Sequence, residues 1–577
     1  MDEKNITEQI IKTLIKSRVH NHDDFWRIVS KISRQNKMPS PPTSKLLKTY
    51  RKLVKNGKIK PNPDLEKLLC KRPVRTLSGV AIITVLTKPF KCPGACIYCP
   101  NEAGMPKSYL SNEPAAARAK LNKFDPYKQV KMRLEALKAN GHPTDKIELI
   151  IKGGSWTAYP KKYREWFVAK CFCAGNKTGL PKPYKLVGLR KPSGLKWAQK
   201  KNETSKHRII GLTTETRPDL INEKEILHLR KIGCTRVELG VQTIYDDILK
   251  RCHRGHGVKE ITKATKLLKD AGFKVDYHLM PGLPGSTFQK DIKMFEEIFT
   301  NPNFMPDTIK IYPCTVIPNT PLYNLWKRGK YKPLGDKQLI KMLIKVKSKI
   351  IPRFCRIARL IRDIPSPSIA AGNKITNLRE YIQKEMRQKN LKCKCLRCRE
   401  VGHQRFAKIK NQKPKIKNTN KKLKIFIDKY NASKGIEYFL SVEDKDREVV
   451  YAFLRLRLLQ PPHSPPVSQS EIGGVRGGLN PKCFIPELRG AALIRELHTY
   501  GHLVPLKTES RKLKAEIQHT GLGKKLMEKA EEISKKAGFR KMAIISGIGV
   551  REYYRKLGYK LEGTYMTRNL TAHQVGD

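Results

Sequence analysis

A chain of 577 residues is too long for one hydrophobic core, so two to four domains are expected. With 118 Lys and Arg against 51 Asp and Glu, the formal charge of +67 disfavours basic partners such as histone-like tails and points to a polyanion, nucleic acid above all. No apolar run approaches the roughly 18 residues of a membrane span, and the start Met1-Asp2-Glu3-Lys4-Asn5 has no apolar leader. The expected location is the cytoplasm, with no membrane contact, and the 14 cysteines read there as cluster or metal ligands rather than disulfides.

Residues 1–75 show helical spacing at Ile10, Ile11, Leu14 and Ile15, and again at Leu46, Leu47, Tyr50, Leu53 and Val54. Lys45, Lys48, Arg51, Lys52, Lys55, Lys58 and Lys60 make this small helical region basic, suited either to RNA phosphate or to a solvated face.

The β-branched run from Val80 to Val85 predicts a strand that delivers Cys92-Pro-Gly-Ala-Cys96-Ile-Tyr-Cys99. Three thiolates in a C-x3-C-x2-C array can take three corners of a 4Fe-4S cube and leave the fourth iron open to S-adenosylmethionine. Structural zinc would need a fourth ligand, and no further Cys or His lies nearby. Tyr98, just before the last cysteine, is usual in radical-SAM loops.

Further strands are expected at 147–151, 208–213, 236–241, 274–280 and 308–312, with helices between them, for example over 259–270 and 287–299. Alternating strand and helix predict a parallel sheet, here a partial TIM barrel over 76–370 with its reactive residues at the C-terminal strand ends. Gly153, Gly154, Glu215, Arg217, Glu238, Gln242 and His278 fall at those ends and suit a pocket for S-adenosylmethionine. Residues 170–208 read as a basic insertion, with Glu203 as its one acid and RNA as its expected contact.

Cys393, Cys395 and Cys398 with His403 predict a zinc site, although Cys314 or Cys355 could supply the fourth ligand instead. Residues 371–431 are expected as this zinc-binding segment and a basic linker, the lysines of 404–427 lacking any acid up to that point. From 432 to 577 a hairpin, a strand over 491–500, and Gln518-His-Thr-Gly521-Leu522-Gly523-Lys524 running into a helix follow in order. Such a glycine turn lets backbone amides and a helix N-terminus approach a pyrophosphate. Its spelling resembles the acyl-CoA loop of GNAT acetyltransferases, as does the later helix with Tyr553 and Tyr554.

A radical-SAM loop ahead of a GNAT loop resembles the catalytic subunit of Elongator, the tRNA uridine acetyltransferase family. The resemblance rests on the collinear segments 75–80, 92–99, 211–219, 236–242, 254–256, 362–365, 399–402, 495–498, 518–523 and 546–559. It implies an α/β protein, a partial TIM barrel followed by a GNAT domain, behind the basic helical N-terminal region. It also implies a radical drawn from acetyl-CoA that adds to carbon 5 of the wobble uridine in a tRNA anticodon stem-loop, leaving a carboxymethyl group. Carried over residue by residue, Cys92, Cys96 and Cys99 hold the cluster. Lys146, Glu496, Leu497, His498, Thr499, Leu522, Gly523, Lys524 and Tyr554 meet acetyl-CoA, Tyr554 with a catalytic role. An electron donor and a second copy of the chain are the other partners considered. The rival activity is a protein lysine acetyltransferase with a structural iron-sulfur domain.

Overall fold

The computed structural model describes residues 2–19, 21–179, 194–403, 423–459, 483–500 and 521–570. Four helices, Glu3–Lys16, His22–Gln35, Thr43–Lys55 and Pro63–Leu69, open the chain and close around their own apolar core of Ile10, Ile11, Phe25, Val29, Leu46 and Leu53.

The first sheet has seven strands in chain order: β1 (Ala81–Leu86), β2 (Lys146–Lys152), β3 (Arg208–Thr216), β4 (Arg236–Gln242), β5 (Lys274–Leu279), β6 (Thr308–Ile311) and β7 (Arg356–Arg359). All neighbours pair in parallel, so helices must make the crossovers, and the sheet curls into a half barrel open between β1 and β7. Sequence patterning located six of these strands. It missed β7, whose Arg-Ile-Ala-Arg has only two apolar residues.

The second sheet is mixed: β8 (Lys424–Ala432), β9 (Gly435–Glu443), β10 (Val450–Leu458), β11 (Ala491–Thr499), β12 (Lys541–Ile544), β13 (Lys560–Glu562) and β14 (Tyr565–Asn569), ordered β13-β14-β12-β11-β10-β9-β8. β8 begins at Lys424, so this sheet starts within the segment expected as linker; alternating exposure along an edge strand explains why Lys and Asp are tolerated there. β11 pairs in parallel with β12 only from Ala491 to Ile494, and beyond that point Arg495–Thr499 part from it. A register shift in β10 between Arg455 and Leu456 accompanies the divergence. Into the resulting cleft points the N-terminus of the helix Leu522–Lys536, whose Leu526, Met527 and Ala530 pack on Leu440, Leu456, Ile494 and Ile544.

The opposite face of the second sheet closes the N-terminal end of the half barrel, and Phe439, Phe453, Leu493, Ile545 and Tyr565 belong to one apolar core with the barrel strands. A buried ion network crosses this junction. Arg495 binds Asp307 and, at 2.9 Å, Glu437; Arg455 donates to Glu496 at 3.0 Å and Arg457 to Asp270 at 3.1 Å. Asp307 is held well below the usual carboxylate range: burial works against its charge, but Arg495, Lys269 and Arg455 outweigh it.

Residues 170–208 are not a single basic insertion. The helix Lys161–Asn176 buries Cys171, Phe172 and Cys173 in the barrel core, and the helix Gly194–Asn202 packs beside it. Glu203 binds Arg551 at 3.2 Å and Arg555 at 2.9 Å, tying the segment to the second sheet. Lys182, Lys185, Arg190 and Lys191 lie outside the described residues, as do the linker residues 404–422.

Candidate active site

Alternate residues of each barrel strand face inward, so Lys146, Glu148, Ile150 and Lys152 of β2 all line one cavity of about 1610 Å³. The six residue-to-residue steps from Lys146 to Lys152 make the run roughly 20 Å long. At its C-terminal end stand Tyr98 and Cys99 of the cysteine loop; at the other end stand Glu496–Tyr500, Gly521, Gly523, Lys524, Tyr553 and Tyr554 of the second sheet.

Around the cysteine loop, Arg254 donates to Cys96 Sγ at 3.2 Å and packs beside His256 at 3.1 Å. Arg217 is fixed by Asp219 at 3.0 Å and lies over Gly94 without lining the cavity. Burial, with Cys96 beside it, pushes the Cys99 thiol up to about 11, so a bound cation is needed to keep it as thiolate. Cys92, Cys96 and Cys99 do not have their sulfurs all within 4.8 Å of one another, the spacing expected around a single ion. Buried polar atoms with no hydrogen-bond partner gather here: Tyr98 Oη, Arg217 Nη1, Arg254 Nε, His256 Nδ1 and Gln242 Oε1. That concentration fits a polar ligand above the loop. Gln242 also holds a φ of 69°, a left-handed conformation costly for a non-glycine residue and common at working sites.

One layer lower, register places Glu215, Glu238 and Asp276 side by side on β3, β4 and β5. Glu238 is gripped by Lys152, Lys310 and His278, the last at 2.7 Å. Burial opposes the Glu238 charge, yet the ammonium groups of Lys152 and Lys310, with the hydrogen bond to His278, hold it well below the ordinary range. Burial raises Glu215 and lifts Asp276 to about 7, while burial and Lys152 press His278 down to about 3, leaving it neutral. Gly153 and Gly154 are outside the cavity wall. At Gly153, with φ of 126°, a Cβ would lie 2.0 Å from Thr87 Oγ1, so its part is close packing of two strand ends.

At the far end, a Cβ on Gly523 would sit 2.8 Å from Tyr553 Oη and 3.6 Å from Thr499 Cγ2, which shows how closely the helix start approaches the cleft. Leu522 packs into the core of the second sheet rather than lining the cavity. Tyr554 is buried and its hydroxyl is raised by that burial; Lys146 is lowered by burial. His498, lowered to about 4 by burial, meets Ser78 O at 3.2 Å. Gln518 lies outside the described residues.

Glu496 bridges the two halves through Lys274 at 3.3 Å and Arg455 at 3.0 Å. Burial resists its charge, but Lys274 and Arg455 bring it down to about 2, against an ordinary value of about 4.3. A depressed carboxylate adds stability that is complete above the unfolded value and is lost as pH falls toward the folded one. Acid unfolding should therefore remove up to about 3 kcal/mol more from the native protein than from Glu496→Gln between pH 5 and 2. Parallel pH-stability curves for the two proteins in urea melts would contradict this.

Cys393, Cys395 and Cys398 do gather, all three sulfurs within 4.8 Å. His403 does not join them: its Nε2 faces Glu400 at 3.5 Å and the ring lines the central cavity. Neither Cys314 nor Cys355 belongs to the group, and Lys347 Nζ takes the adjoining position, 3.2 Å from Cys393 Sγ and 3.6 Å from Cys398 Sγ.

Sequence reasoning passed over Lys152, Asp276, Lys310 and Arg254 as site residues. The first three follow from the two-residue period of charged groups in apolar strands, and Arg254 from its Arg-Gly-His setting.

A half barrel with three cysteines on the loop after β1 defines a radical-SAM enzyme, and the Radical SAM superfamily matches residues 88–298 and the Radical_SAM C-terminal domain residues 306–388. The chain is 46% identical over 510 residues to a tRNA uridine(34) acetyltransferase of Methanocaldococcus infernus, covering 87% of this chain and 88% of that protein. It is 36% identical to human Elongator complex protein 3, covering 86% of each. A solved structure of the archaeal Methanocaldococcus infernus Elp3 with an N-terminal deletion (1–46) superimposes with a TM-score of 0.68 at 43% identity, over 86% of this chain and all of that one. The chain belongs to the tRNA uridine(34) acetyltransferase and Elongator complex protein 3 family. Among the described residues, no helix is long and apolar enough to cross a membrane.

Proposed function

We propose that this enzyme forms a carboxymethyl group on carbon 5 of the wobble uridine of tRNA, using S-adenosylmethionine and acetyl-CoA. The observation that carries the reading is the single cavity reaching from Cys99 to Gly523 and Tyr554. Two separate pockets would suit a plain acetylase beside an unrelated cluster; one shared cavity suits a reaction in which the two reactants meet. The family name of its relatives supports uridine in tRNA as the substrate.

Cys92, Cys96 and Cys99 would hold a 4Fe-4S cluster, with Arg254 donating to the Cys96 sulfur and so stabilising its charge. When bound, the cluster supplies the electron that cleaves S-adenosylmethionine and so starts hydrogen abstraction from the acetyl methyl. Gln242 and Glu215, both on the cavity wall, would offer acceptors to the amine and ribose of that molecule, while Glu238 serves chiefly to anchor Lys152, Lys310 and His278. The amides of the helix beginning at Leu522 and the side chain of Lys524 receive the acetyl-CoA pyrophosphate. Tyr554, kept protonated by burial, can donate a hydrogen bond to the thioester or its leaving sulfur.

Cys393, Cys395 and Cys398 would hold zinc, their spacing matching three corners of a tetrahedral shell. An external electron donor, a cytoplasmic location and, of lower consequence for the chemistry, a homodimer complete the reading. The lysine acetylase alternative gains nothing from the structure: plain acetyl transfer gives the continuity of the cavity with the cysteine loop no role. Anaerobic reconstitution with tRNA transcript, acetyl-CoA and S-adenosylmethionine should give carboxymethyluridine by nucleoside mass spectrometry. Acetylated protein with unmodified tRNA would overturn the reading.

A further inference from the structure

We propose that Arg72, Arg75, Arg118 and Arg133 form a phosphodiester-binding site at a side window of the half barrel, through which the substrate RNA strand reaches the cavity. The inference rests on the RNA reading above and adds to it the route of entry and the residues that hold the backbone.

The window is the gap between the edge strands β1 and β7, which among the described residues have no sheet neighbour on that side. Both edges face the cavity, β1 through Ile82 and Thr84 and β7 through Arg356 and Ala358. Arg362 bridges the gap toward the cysteine loop, donating to Ser108 Oγ at 3.0 Å and meeting Glu113 at 3.2 Å. Toward the second sheet it is bridged by His498 on Ser78 O and by Gly402 packed against Leu77. Between these bridges the β1 side carries the four arginines, all of them lining the cavity.

They come from three elements: the stretch before β1, the helix Pro114–Leu121 and the helix Pro126–Ala139. Their convergence is therefore a product of the fold and not of one charge run. Among the described residues the charges acting on Arg133 are those of Arg118 and Arg75, with no carboxylate among them, and burial together with this repulsion lowers it to about 10. Arg75 and Arg118 sense one acid, Asp363, which is itself engaged by Arg359 at 2.6 Å. Arg72 is held at a φ of 55°, immediately before Pro73, a conformation that costs free energy in a non-glycine residue. Arg72 and Arg75 are exposed and Arg118 and Arg133 half-buried; cations set against one another in this way are stabilised when an anion arrives, and guanidinium forks match phosphate oxygens in pairs.

Phosphodiester is favoured because the basic surface continues outward from the window. Arg51 of the helix Thr43–Lys55 donates to Lys138 O at 3.0 Å, which places the lysines of that helix beside the one carrying Arg133. A loop strand gripped by its backbone could extend an unstacked base through the gap. The phosphates of CoA are the other source of the same chemistry.

The test compares wild type with the double variant Arg118→Gln/Arg133→Gln and the charge-preserving Arg118→Lys/Arg133→Lys, each checked for cluster absorbance. Binding of a labelled anticodon stem-loop RNA is followed by anisotropy across a salt series, and acetyl-CoA binding by calorimetry. The glutamine variant should bind the RNA on the order of tenfold more weakly near 0.1 M salt, with the slope of log K against log salt smaller by about 1.4. Its acetyl-CoA affinity should be unchanged, and the lysine variant should keep the slope. Unchanged RNA affinity and slope would overturn the window. Selective loss of acetyl-CoA binding would overturn it too, by assigning the arginines to CoA phosphate. Wild-type protein that ignores the stem-loop would instead sink the RNA reading itself, and the window with it.

Discussion

Anaerobically purified Cys96→Ser protein is expected to lack the brown iron-sulfur chromophore and to cleave no S-adenosylmethionine, a loss of several orders of magnitude. Cys96 is the most enclosed of the three loop cysteines, and its sulfur already receives Arg254 at 3.2 Å. A serine hydroxyl is a poor ligand for iron at neutral pH and would leave the arginine without its anionic partner. The fold should survive, because the barrel core beneath the loop does not depend on this side chain. Cleavage at the wild-type rate in this variant would remove the cluster from the loop.

Gly523→Trp should separate the two ends of the cavity. Even a Cβ at this position meets Tyr553 Oη at 2.8 Å, so an indole must displace Tyr553 and fill the space in which the helix N-terminus faces an anion. Cluster absorbance should match wild type, whereas carboxymethyluridine formation should fall by about a hundredfold or more as the thioester is misplaced. Calorimetry should show acetyl-CoA binding reduced in parallel. Normal acetyl-CoA binding in the tryptophan variant would mean that the ligand does not use the Gly521–Lys524 turn.

The parts of the site that local sequence reveals are those whose chemistry is written in adjacent residues. Cys92, Cys96 and Cys99 and the Gly521-Leu-Gly523 turn are of this kind, and so are Glu238 and Gln242, polar residues within one apolar strand. What joins them is not local. Arg495 and Asp307 are 188 positions apart, yet together they lock the second sheet onto the barrel, and no periodicity in either segment announces the pairing. Lys152 and Lys310 read as charged strand ends in isolation; only the register of β2, β4 and β6 shows that both reach Glu238. β8 was hidden because an edge strand can alternate Lys, Asp and apolar residues, a pattern close to that of a charged linker. His403 was misassigned because sequence spacing placed it near the thiols, whereas the fold gives that position to Lys347 from a helical turn some fifty residues earlier.

The central claim is that radical generation and acetyl-CoA share one cavity, and turnover with acetyl-CoA deuterated on the acetyl methyl tests it most directly. The account predicts deuterium in the recovered 5'-deoxyadenosine, dependent on both Cys96 and Gly523. Formation of modified uridine with only unlabelled 5'-deoxyadenosine would contradict it.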